Sequence, residues 1–250
     1  MSDEDRIVLE PGWYVQLLGD KTDLEDWVYT FNEPFDPVAM KDADGTVFLK
    51  SSEFEAAETA QEVREKGLAL VARMNGAIAL MHSARPVKLG GIIRADAEGR
   101  RHAHVFAEMA ALEFGRCTAR VTAVVLGPDG KPVPPPPPQP STAQEWNSLA
   151  TQDDDCADLL EQLGKADGWY EIYKAIEVAE HIAGGKHKLG QMLSDSRADC
   201  ERMRRTANYY RHARAPRPET LATLSEAKSL LHFMVRTVLE KRQAQPEQTH

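Results

Sequence analysis

The chain has 250 residues, 42% of them hydrophobic, and carries 39 acidic against 30 basic side chains for a net charge of −9. That length can bury a sizeable core and accommodates one or two domains, while the overall acidity argues against a generic nucleic-acid coat protein. No run of 18 apolar residues predicts a membrane span, and the acidic start Met-Ser-Asp-Glu-Asp has no apolar stretch of the secretory kind.

In chain order, strand patterns fall at Trp13 to Leu18, Trp27 to Phe31, Val47 to Lys50, Val87 to Ala95, His102 to Phe106 and Arg120 to Leu126. Turn signals at Asp44-Gly45, Glu98-Gly99 and Pro128-Asp129-Gly130 separate them, and Gly90-Gly91 inside a strand pattern predicts a bulge. A helix is expected from about Ser52 to Met81, burying Val63, Leu68, Val71, Met74 and Ile78 and interrupted by Gly67 and Gly76. Lys131-Pro132-Val133, five prolines (Pro134 to Pro138) and Gln139-Pro140 read as an extended polyproline spacer. Beyond it the pattern is helical. Thr142 with Glu145 forms a capping-box pattern, and Asp153 to Asp155 open a helix that stops at Gly164. Further helices run from Trp169 to Ala183 before Gly184-Gly185, from near Ser194 to Ala213, and from Thr223-Leu-Ser-Glu226 to about Arg242.

The expected class is therefore α+β. A mixed α/β module (1–130) is followed by a proline-rich linker (131–141), an all-helical bundle (142–242) and a polar tail (243–250). The acidity sits in the first half, where residues 1–140 hold 22 acids and 15 bases. Cys117, Cys156 and Cys200 lie far apart without a Cys-x-x-Cys pair, which fits a reducing cytoplasm. There is no Gly-x-Gly-x-x-Gly, P-loop or Gly-x-Ser-x-Gly elbow, so no cofactor is expected.

Two clusters carry chemistry. Between Arg197 and Arg217 stand seven arginines against two acids, Asp199 and Glu201. Arginine suits bidentate phosphate contact, and Arg204, Asn208 and His212 recur every fourth residue, bordered by Arg205 and Arg211. In the first half, His102-Ala-His104 on a strand would place both imidazoles on one face, with Glu108 after three further residues. That spacing, with Gly115, resembles the first metal-binding motif of cupin barrels, so His102, His104 and Glu108 are candidate metal ligands. The rest of the cupin pattern is missing. Trp169, Tyr170 and Tyr173 are expected in the core between helices.

Over about residues 165–242 the helical half resembles the HEPN superfamily of four- to five-helix bundles, common among bacterial RNases, toxins and defence proteins. The resemblance rests on Arg205-Thr-Ala-Asn-Tyr-Tyr-Arg-His212, which matches an Arg, four to six residues, His signature. It implies a defence or regulatory protein with metal-independent RNA cleavage or RNA binding. His212 would act as general acid or base, Arg205 would stabilise the charged phosphorane, and Asn208 would orient the phosphate. Arg204, Arg211 and Arg214 would contact RNA, and a homodimer would pair two motifs. Thr206 stands where that signature usually has Asn, Asp or His after the arginine. A different class of function follows from the same arginines meeting an acidic protein partner as a non-enzymatic adaptor.

Overall fold

The computed structural model describes residues 7–82, 84–104, 137–212 and 215–244. Among these the order is β1 (Gly12–Leu18), α1 (Lys21–Thr30), β2 (Val38–Lys41), β3 (Val47–Lys50), α2 (Ala60–Ala79), β4 (Lys88–Ala95) and β5 (Arg101–His104). Six helices follow: α3 (Thr142–Ala150), α4 (Asp154–Gly164), α5 (Trp169–Ile182), α6 (Lys186–Met192), α7 (Arg197–Arg211) and α8 (Leu224–Gln243). The class is α+β, with the sheet N-terminal and the helices C-terminal. No helix among the described residues is long and apolar enough to cross a membrane. The expected strand over 120–126, the spacer through Pro136 and the end of the tail lie outside the described residues.

The strands make one antiparallel sheet in the order β2-β3-β1-β4-β5. Period-two alternation sends Val15, Leu17, Val47, Leu49 and Ile92 into the main core beneath the helices. Tyr14, Phe48 and Ile93 turn the other way and pack with Leu9 in a smaller cluster. The bulge expected at Gly90-Gly91 is present. Val15 pairs with Ile92 and Leu17 with Leu89, so one residue of β1 faces two of β4.

Local chemistry overrode three expectations. Trp27 to Phe31 is not a strand but the end of α1. Asp20 caps that helix by accepting from the Thr22 amide at 3.0 Å, and Trp27 and Phe31 meet one turn apart with ring centroids 5.3 Å apart. The segment after Ser52 forms a single 3-10 turn (Ser52–Phe54), and the helix begins only where Thr59 caps Glu62. Its buried stripe runs through Gly67 and Leu70, whereas Leu68 is 43% exposed. Ser141 with Gln144, rather than Thr142 with Glu145, makes the α3 capping box. Gln144 is drawn inward because its amide donates to the carbonyls of Asn32 and Phe35, both at 2.9 Å, holding the loop before β2.

The two halves share one core. Buried Leu70, Met74 and Ile78 of α2 belong to the same cluster as Leu159 and Leu160 of α4, Ile176 of α5 and Leu231 of α8. The closest approach is backbone to backbone. A Cβ at Gly76 would stand 2.1 Å from the Leu160 carbonyl oxygen, and one at Gly164 would stand 2.0 Å from that of Ala72. The glycine that weakens α2 as an isolated helix is therefore what lets α4 lie against it.

Candidate functional site

Helix α7 buries Cys200, Met203, Thr206 and Ala207 along one face. Thr206 is fully buried, and its hydroxyl donates to the Arg202 carbonyl at 2.9 Å and accepts from the Ala222 amide at 3.0 Å. The residue after Arg205 thus ties α7 to the chain leading into α8 and is turned away from solvent. At the other end His212 leaves the helix with φ −116 and ψ 118, its amide still donating to the Asn208 carbonyl at 3.1 Å.

Most of the described arginines of this helix hold a carboxylate. Arg204 pairs with Glu180 at 2.8 Å, Arg205 with Glu201 at 3.2 Å and Arg211 with Glu177 at 3.0 Å. Arg202 reaches both Asp199 and Glu226 at 3.4 Å. Arg211 also lies over the Tyr173 ring, 4.4 Å from its centroid. Glu177 and Glu180 come from α5, so the local arginine excess is offset by acids remote in sequence. Trp169, by contrast, stacks on Tyr210 at 5.3 Å, and Tyr170 is 55% exposed rather than in the core.

Two hollows flank α7. Arg202, Arg205, Asn208 and Arg217, together with Glu201 and Glu219, line an open groove of about 730 Å³ between α7 and the segment before α8. The structure therefore brings Arg205 and Asn208 together. His212, seven residues beyond Arg205 and so about 10 Å along the axis, is not among the groove's lining residues. Arg204 faces the second hollow, and Arg214 lies outside the described residues.

That second hollow, of about 490 Å³, lies between α5, α6 and α7. Its floor is apolar, and Lys186, Arg197, Arg204 and Arg205 stand at its rim with Glu180 and Glu201. Burial opposes the ionisation of Glu201, but the Lys186 ammonium, the Arg205 hydrogen bond and the Arg204 charge outweigh it and hold the carboxyl below its ordinary value. Cys200 sits in the floor, where burial pushes its thiol up to about 11 and keeps it protonated and unreactive. Helix α6 was invisible in the sequence. It has seven residues, includes Gly190, and follows Gly184 and Gly185, whose positive φ values of 76 and 114 reverse the chain.

On the sheet, β5 does place His102 and His104 on one face, opposite Arg94 and Ile92. They line a cleft of about 770 Å³ with Trp13 and Arg94, two residues the sequence did not single out. His102 lies 3.0 Å from Asp96, and this contact, with the Arg100 backbone and guanidinium, holds the Asp96 carboxyl well below the usual carboxylate range. His104 packs against Trp13 with ring centroids 5.8 Å apart. Among the described residues no group of three or more His, Cys, Asp or Glu could hold a metal ion, and Glu108 lies outside them.

The chain matches no family model, no curated protein and no solved structure.

Proposed function

We propose that the helical half is an RNA-binding unit of the HEPN-like kind, working in a reducing cytoplasm, with RNA laid in the groove between α7 and the segment before α8. The convergence of Arg202, Arg205, Arg217 and Asn208 on that one groove carries the reading. Arginine forks fit phosphate, and an asparagine supplies both a donor and an acceptor. The ion pairs already there do not oppose it. Arg205 has 67% of its side chain exposed, and exchanging such a pair for a phosphate costs little. In a cleaving complex, Arg205 would meet the charged phosphorane, and His212, just past the groove at the end of α7, would take the 2′-hydroxyl proton or give one to the leaving 5′-oxygen. A second copy of the chain would bring the second motif.

The test is RNA affinity against salt, by anisotropy, for the wild type, Arg205→Ala and Arg217→Ala. Each variant should weaken binding and reduce the salt slope by about one. Affinity indifferent to salt and to both substitutions would overturn the reading and favour an acidic protein partner for the same arginines. Incubation with RNA in EDTA, comparing wild type with His212→Ala, separates cleavage from binding alone.

A further inference from the structure

We infer that the hollow between α5, α6 and α7 is a binding site for a small amphipathic organic anion, with an aliphatic body and a terminal phosphate or carboxylate. This goes beyond the RNA reading and does not depend on it. The volume of about 490 Å³ lies within the range of small-molecule sites. Ile176, Leu189 and Met234, from three different helices, give it a floor that accepts an aliphatic chain. Among the described residues no Phe, Tyr or Trp lines it, and His187 is its one ring.

The rim decides the sign of the ligand. Lys186, Arg197, Arg204 and Arg205 outnumber Glu180 and Glu201 there by four to two, in a chain whose net charge is −9. The carboxylates are already committed, Glu180 to Arg204 at 2.8 Å and Glu201 to Lys186 at 2.9 Å and Arg205 at 3.2 Å. Arg197 has no ion pair to a described carboxylate. It is exposed and runs beside Gly190, where a Cβ would stand 3.2 Å from its Nε, so its guanidinium stands at the mouth over the apolar floor. An apolar body below and a cation with no described carboxylate partner above define an amphipathic anion.

Titration calorimetry on the full chain with octyl phosphate and octanoate tests this, with inorganic phosphate and octanol as charge-only and apolar-only controls. One equivalent of at least one amphiphile should bind, with both controls weaker, and the stronger of the two amphiphiles identifies the headgroup. Arg197→Gln, an exposed substitution that leaves the floor intact, should weaken binding about tenfold, as expected for one charged hydrogen bond. The Met234 methyl resonance should shift on titration of the wild type. Arg217→Ala, which touches only the other groove, should leave amphiphile affinity unchanged while weakening RNA, so the two readings fail separately. Absence of saturable binding by both amphiphiles, octanol binding as tightly as octyl phosphate, or equal affinity in folded Arg197→Gln would overturn the inference.

Discussion

Thr206 shows how one hydroxyl separates two readings of the same motif. In the sequence it stands beside Arg205, where a catalytic helper belongs. In the structure it is buried, donating to the Arg202 carbonyl and accepting from the Ala222 amide. Replacing it with valine keeps the shape but leaves the buried Ala222 N–H without its partner. Thr206→Val should lower unfolding stability by about 1–3 kcal/mol in denaturant titration. RNA affinity at a temperature where both proteins are folded should stay unchanged. A loss of affinity without loss of stability would instead place Thr206 in the binding face.

At the scale of elements, the crossing of α2 on α4 makes a prediction whose sign opposes helix propensity. Alanine in place of a mid-helix glycine ordinarily stabilises by about 1 kcal/mol. At Gly76 the new methyl would meet a backbone oxygen at 2.1 Å, and a carbonyl held in α4 cannot rotate away as a side chain would. Gly76→Ala should therefore be net destabilising, by about 1–3 kcal/mol as for an overpacked core, and thermal melts check it. The sequence marked Gly76 as a weakness because the partner that needs it, Leu160, lies 84 positions away. The same distance effect explains the rest of what was legible. Caps and turns local to a few residues, such as Thr223 with Glu226 and the Gly90-Gly91 bulge, could be read directly. Helix α1 was hidden because aromatic and β-branched residues outvoted a single capping aspartate. The pairing of Arg204 and Arg211 with α5 was hidden because it exists only once α5 and α7 pack. The candidate site was thus half visible: Arg205 and Asn208 do meet in one groove, while Lys186 and Arg197 of the second hollow had no motif to announce them.

For the whole molecule, acid should act through two carboxylates that join distant segments. Asp42 accepts from the Ile7 and Ala43 amides, both at 2.9 Å, and pairs with Arg101 at 2.5 Å, binding the N-terminal segment, the β2–β3 hairpin and β5. Asp153 caps α4 and meets Arg242 of α8 at 2.6 Å. Burial opposes ionisation of both, yet these partners outweigh it and hold both carboxyls below their ordinary value. Their stabilisation is complete above the unfolded aspartate value of about 4 and is lost as pH falls through the lower folded values. Stability from these groups should be flat between about pH 5 and 7 and fall below about pH 4. Asp42→Asn should cost about 2–3 kcal/mol at neutral pH by leaving Arg101 with only the Ile7 carbonyl and the Phe48 ring as partners, and should make the acid limb shallower. Thermal melts across that range decide it; an acid limb unchanged in the variant would remove Asp42 from the account. Because one core spans sheet and helices, far-ultraviolet and tryptophan signals should melt together.

The close contact between α2 and α4 also constrains how such a chain can change over generations. Gly76 and Gly164 each make room for a carbonyl of the opposite helix, so neither is selected for its own helix. A lineage that enlarged one of them would have to part the two axes and rebuild the side chains between them. The two positions, 88 apart in the sequence, should therefore be inherited as a single unit, small together or replaced together.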